Sequence, residues 1–118
     1  MKRIFFLAIL ISMAKFSSSQ IVSCDSAKYY GDKIVSVKGI VMSTYMTQGE
    51  KKEVVLNFGK PYPDQSFQVI IFEKDLSKFP EDPREALRDK NITVRGKVRI
   101  VKGKPSIQIN SPNQITIN

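Results

Sequence analysis

The chain has 118 residues, with 19 Lys+Arg, 11 Asp+Glu, no His and one Cys, which fits one domain of ordinary size. The lack of histidine excludes Ser-His-Asp catalysis, imidazole metal ligands and a histidine general base; a single cysteine excludes an internal disulfide or a cysteine-rich metal site. What is left is a small basic domain, long enough to bury a core but not to build a large enzyme cleft.

Lys2 and Arg3 precede an apolar run at residues 4–14. That run is shorter than the roughly 17–25 residues that cross a bilayer, so no membrane span is expected. Ser17, Ser18 and Ser19 follow, small residues suited to cleavage before Gln20. The expected organisation is a signal peptide at 1–19 and a single domain at 20–118, secreted or periplasmic after cleavage near Gln20. A rival processing site is Ile21-Val22-Ser23-Cys24, which looks like a lipobox and would anchor the chain through a lipid on Cys24. Lys15 and the polar residues 17–20 separate it from the apolar run, which weighs against it. Losing Lys2, Arg3 and Lys15 lowers the net charge from +8 to +5, an excess that permits polyanion binding without requiring it.

Residues 23–30 read as one helical turn with Ala27 and Tyr30 inward, ended by Gly31-Asp32. Residues 33–46 are strand one, rich in β-branched residues, with Val35, Val37, Gly39 and Val41 in alternation. Residues 47–52 form a turn. Strand two is 53–58, with Val54, Leu56 and Phe58 on one face and Asn57 on the other. Gly59, Pro61 and Pro63 mark 59–65 as a loop. Strand three, 66–72, is nearly all apolar and therefore central. Residues 73–79 are expected to form a short helix using Leu76 and Phe79. Asp82 then caps a second turn, with Pro83 in first position and Glu85 reaching back to the capping N–H. Strand four is 91–101, placing Val94, Val98 and Ile100 in the core and Arg95, Lys97 and Arg99 outside. Residues 102–105 turn into strand five at 106–110, and Ile115 and Ile117 extend the edge.

Three strands, a helix and two strands make an all-β domain with one helical segment. The order fits the five-stranded Greek-key barrel of the OB-fold, whose helix lies between strands three and four. Glycine within a strand often marks a bulge or bend, so Gly39 is expected to bend strand one between the two halves of the sheet.

A family resemblance rests on several segments. Ala27-Lys28-Tyr29-Tyr30-Gly31 leads into Val35-Ser36-Val37-Lys38-Gly39-Ile40-Val41. Leu56-Asn57-Phe58-Gly59, Tyr62-Pro63, Phe67 and Val69-Ile70-Ile71-Phe72 follow. Val94-Arg95-Gly96-Lys97-Val98, Lys102-Gly103-Lys104-Pro105 and Ile109-Asn110-Ser111-Pro112-Asn113-Gln114-Ile115 complete the pattern. Together they resemble the OB domain of secreted bacterial YhcR-type endonucleases and of small stand-alone exported proteins. The resemblance implies nucleic-acid binding; with no nuclease domain in this chain, it carries over no catalytic residue.

OB domains bind oligonucleotides on the face of strands two and three, flanked by the one-two and four-five loops. Both loops are basic here: Lys51 and Lys52 in the first, Lys102 and Lys104 in the second. Residues 90–104 hold Lys90, Arg95, Lys97, Arg99, Lys102 and Lys104 and no acid. Lys38 on strand one, and Arg95, Lys97 and Arg99 on strand four, are also expected to contact the nucleic acid. Tyr45 and Tyr62, near hairpin ends, are the candidate stacking platforms for single-stranded bases, and Asn57 is expected to face the ligand or bond loop backbone. The competing explanation is that lysines at strand edges prevent pairing between molecules. No cofactor and no metal site are expected.

Three function classes follow. The first is an exported OB module that binds single-stranded DNA or RNA non-specifically, either alone or beside a separate nuclease or other protein. The alternative is a protein- or saccharide-binding OB module with no nucleic-acid role. The third is an enzyme of thermonuclease type. Metal-assisted phosphodiester cleavage needs clustered carboxylates, whereas Glu53 is the one clear strand acid, so no enzymatic activity is expected.

Overall fold

The computed structural model describes residues 20–118; the expected signal peptide, 1–19, lies outside the described residues. Among the described residues seven strands form: β1 (Ile21–Ser23), β2 (Ile34–Met46), β3 (Glu53–Phe58), β4 (Phe67–Phe72), β5 (Asn91–Val101), β6 (Lys104–Ile109) and β7 (Ile115–Ile117). The same residues hold three 3₁₀ turns, at Ala27–Tyr29, Glu73–Lys78 and Pro112–Gln114, and one short α-helix, α1, at Pro83–Ala86.

Long β2 and β5 make the closure possible. The first part of β2 pairs antiparallel with β5, from Ile34↔Lys97 to Ile40↔Asn91. Its second part pairs antiparallel with β3, from Val41↔Phe58 to Met46↔Val54. β3 pairs antiparallel with β4, β4 parallel with β6, and β6 antiparallel with β5. The ring β2-β3-β4-β6-β5 therefore closes, and the segments Glu73–Lys78 and Pro83–Ala86 sit between the third and fourth barrel strands. This is the OB-fold barrel. β1 adds parallel to β2 and β7 antiparallel to β5, widening one side into a four-stranded face, β1-β2-β5-β7.

Alternation fills the interior. Val35, Val37 and Val41 from β2, Val54, Leu56 and Phe58 from β3, and Phe67, Val69 and Ile71 from β4 are buried together. Phe58 and Phe67 meet edge to face, with ring centroids 5.0 Å apart. Each such side chain contributes about 1.5–3 kcal/mol on burial.

Four expectations change. Ile100 is 52% exposed rather than core: β5 loses its β2 partner after Lys97, so Ile100 projects past the closed end of the barrel. The register break in β2 lies between Val41 and Ser43, not at Gly39. Gly39 instead admits a close approach, since a methyl there would stand 2.8 Å from Cys24 Sγ and 3.0 Å from Phe58 Cδ2. The segment Glu73–Lys78 winds as 3₁₀. Asp82 caps α1 by accepting from the Arg84 N–H at 2.9 Å, but it also takes the Arg84 guanidinium. Glu85 turns toward Arg88 at 3.9 Å and not back to the cap.

Candidate nucleic-acid interface

The turn between β5 and β6 is two residues long, because pairing runs through Val101↔Lys104. Lys102 (φ 50°) and Gly103 (φ 80°) both take the left-handed conformation that such hairpin turns demand. Lys104 is thereby a strand residue and not part of the loop. Its side chain crosses to the β3–β4 loop, where Nζ donates to the carbonyls of Pro63 at 3.0 Å and Gln65 at 2.8 Å. Gly59 starts that loop at φ 84°, and Ser66 closes it with an N–H to Phe58 O at 3.1 Å. Midway, the Tyr62 N–H donates to Ser43 Oγ at 3.3 Å. The loop is tied down at both ends and at its centre, across the outside of β2 and β3.

This docking brings Tyr62 to Tyr45, with ring centroids 5.5 Å apart and planes tilted by 60°. Tyr45 is 37% and Tyr62 60% exposed, so both rings keep open surface. They form one wall of an open groove of about 380 Å³. Val55 and Ile70, paired across β3 and β4, make its apolar floor. Val101, Lys102 and Lys104 of the β5–β6 hairpin also line it, as do Thr47 and Gln65, with Glu53 toward one end of the β3–β4 ladder and Gln68 toward the other. Burial pushes the Tyr45 hydroxyl above its ordinary value of 10.0, and nearby Tyr62 and Glu53 push it further. Tyr45 thus stays neutral at physiological pH.

The polar end has a fixed hydrogen-bond direction. Ser106 Oγ donates to the Lys104 carbonyl at 3.3 Å, and a carbonyl can only accept. Ser106 Oγ therefore accepts, from Gln68 Nε2 at 2.8 Å. Gln68 then presents Oε1 to Gln65 Nε2 at 3.4 Å. The chain ends on Gln65 Oε1, which is buried and has no partner.

The structure brings some expected site residues together and separates others. Tyr45, Tyr62, Lys102 and Lys104 line the groove. Lys51 and Lys52 flank an adjoining depression that shares Glu53 with it. Arg99 pairs with Ser106 on the groove's outer flank. Arg95 lies on the four-stranded face, opposite Ser36, and its guanidinium donates to Ser36 Oγ at 3.4 Å. Lys38 shares that face, opposite Thr93, and Lys97 stands opposite Ile34. Asn57 does not face a ligand: it is wholly buried beneath the β3–β4 loop and donates to Ser43 Oγ at 3.2 Å. Lys104 spends its ammonium on the loop carbonyls.

Gln65, Gln68, Val55 and Ile70 are groove residues that sequence reasoning passed over. Strand alternation puts Val55 outward from β3, and Gln68 and Ile70 outward from β4, which was the available signal; the inward turn of Gln65 depends on the Lys104 tether and has none. Among the described residues, no three His, Cys, Asp or Glu side chains gather where they could hold a metal ion. No described helix is long and apolar enough to cross a membrane.

No protein-family model matches the sequence, and no curated protein matches it. Among solved structures, the chain is similar to one assigned as a nucleic acid-binding lipoprotein from Klebsiella pneumoniae subsp. pneumoniae MGH 78578. The TM-score is 0.51 at 14% identity, over 89% of this chain and 96% of that one. It is also similar to one assigned as an aspartyl-tRNA synthetase from Leishmania major Friedlin, with a TM-score of 0.51 at 16% identity over 85% of this chain. The match spans 21% of that longer chain. At these identities the likeness is one of fold, and it is the OB barrel that this chain has in common with both.

Proposed function

We propose that this protein is an exported OB module that binds single-stranded nucleic acid in the groove and does not cleave it. The observation that carries the reading is the Tyr45–Tyr62 pair, half open, over an apolar floor and beside basic hairpins. Base stacking on aromatic rings contributes about 1–3 kcal/mol per base and tolerates any sequence. Lys51, Lys52, Lys102 and Arg99 lie where a backbone entering or leaving the groove meets positive charge. A duplex keeps its base faces stacked on one another, so single strands are the fitting ligand. The solved nucleic acid-binding lipoprotein of similar fold and the resemblance to OB domains of secreted endonucleases support the same reading.

The N-terminal elements favour cleavage near Gln20. β1 pairs with β2, and Val22 is part of the core. Processing at Cys24 would remove both. Cys24 is itself buried, with its backbone N–H bonded to Lys38 O at 2.9 Å, a poor position for a lipid anchor. Mass measurement of the exported chain tests this: a mature form starting at Gln20 is expected, and a lipidated form starting at Cys24 would refute it.

Fluorescence anisotropy of the purified protein with labelled single strands, duplexes and neutral oligosaccharides tests the main reading. Single strands should bind, with affinity falling as salt rises. Retention of the oligosaccharides and not of single strands would assign the groove to the saccharide class.

A further inference from the structure

The groove holds one feature at odds with a general polyanion site. Glu53 lines it, beside the two tyrosines, yet takes no part in any ion pair among the described residues. Its side chain also makes no hydrogen bond there: the contacts of this residue with Thr47 use the backbone, N–H to Thr47 Oγ1 at 2.9 Å and O from the Thr47 N–H at 2.8 Å. An unpaired carboxylate repels phosphate. At the other end, the Gln65 acceptor is unpartnered but buried out of a ligand's reach. The Glu53 end of the groove therefore calls for hydrogen-bond donors, which a phosphodiester at neutral pH does not have. Base edges do.

A carboxylate distinguishes among bases, because its two oxygens only accept. On the pairing edge, adenine sets its amino group beside the N1 acceptor, and cytosine sets its amino group beside N3. Thymine and uracil flank a single N–H with two carbonyls. Each of these turns at least one acceptor toward the second carboxylate oxygen. Guanine alone presents two adjacent donors, N1–H and the 2-amino group, which match a carboxylate in a two-pronged, charge-assisted pair.

We propose that the groove prefers guanine, stacked at Tyr45 and Tyr62 with its N1–H and 2-amino donors on the Glu53 carboxylate. This deepens the single-strand reading and rests on it: the hairpin lysines hold the backbone, and Glu53 chooses the base. A well-placed bidentate contact gives roughly five- to 150-fold discrimination between bases.

The test uses oligothymidylate nonamers in which one central base is changed, which avoids the self-association of guanine runs. The central-guanine strand should bind at least about fivefold more tightly than the all-thymine strand, with no comparable gain for central adenine or cytosine. Central hypoxanthine keeps N1–H and lacks the 2-amino group, so it should recover only part of the gain. Glu53→Gln should abolish the guanine advantage, because the amide replaces one of the two adjacent acceptors with a donor. Equal binding of all nonamers to the wild type would overturn the guanine proposal and leave the single-strand function standing. A guanine advantage that survives Glu53→Gln would overturn the assignment to this carboxylate. Absence of binding by every nonamer would overturn both readings together.

Discussion

At Gly39 one hydrogen atom in place of a side chain lets three elements meet: β2, β3 through Phe58, and the segment after β1 through Cys24. Overpacking of a filled core typically costs 1–3 kcal/mol. Gly39→Ala should therefore lower stability by about that amount, whereas Lys38→Ala, at an exposed site, should stay within about 0.5 kcal/mol. Equal melting shifts would remove the close-approach explanation. The sequence marks Gly39 as special, but for bending; its neighbour Cys24 is fifteen positions away, and that contact has no local signature. Tyr45 gives a pH prediction. Its pKa is raised in the fold, so the folded state holds the phenol proton more tightly than the unfolded chain does. That contribution is present below pH 10 and is lost as pH rises through the folded value. Wild type minus Tyr45→Phe, measured by denaturant melts from pH 8 to 11, should show the wild type losing stability relative to the variant at the alkaline end. A flat difference would place Tyr45 in full solvent contact.

Among the elements, α1 shows how far a local motif carries. Asp82-Pro83-Arg84-Glu85 names the cap correctly, because the cap needs only the Asp82 carboxylate and an N–H two residues on. The second half of the motif fails because Arg84 folds back on Asp82 and Arg88 draws Glu85 away. The Arg84 side-chain hydrogen bonds hold the Asp82 carboxyl below its ordinary range. Its stabilisation is thus present above that range and lost as pH falls through the folded pKa; exposure to solvent keeps the effect small. Asp82→Ala should cost about 1 kcal/mol, the usual loss for a cap, and Asp82→Asn, which can still accept from the Arg84 N–H, should cost less. Thermal melts at neutral pH rank the three; equal losses for Ala and Asn would mean that the ion pair outweighs the cap. The barrel strands were legible because β2, β3, β5 and β6 carry apolar residues at alternate positions and β4 is nearly all apolar. β1 was not, since three residues carry too little periodicity and gain their strand geometry from β2.

For the whole molecule, the same sequence pattern that identifies β5 misplaces its charges. Arg95, Lys97 and Arg99 do alternate to the outside, as the sequence indicates. Along a flat strand they would form one ribbon. β5, however, leaves β2 and joins β6 as it runs, so its outward residues turn around the barrel with it. Arg95 stands opposite Ser36 on the four-stranded face, and Arg99 opposite Ser106 by the groove. The period of two is written in the sequence; the closure that divides the ribbon depends on pairings between strands far apart in the chain. This division predicts distinct salt responses. Each phosphate contact made by a single strand contributes about −0.7 to the slope of log affinity against log salt. Changing Arg99 and Lys102 to Gln should weaken binding and flatten the slope by up to about 1.4 by that rule, with little change in melting temperature. Changing Lys38 and Arg95 to Gln removes the same formal charge from the opposite face, and should leave the slope near its wild-type value. Tyr62→Ala should weaken binding with the slope intact, because stacking releases no counterion. If the Lys38/Arg95 pair flattens the slope and the Arg99/Lys102 pair does not, the strand runs over β1-β2-β5-β7 and the groove is not its path.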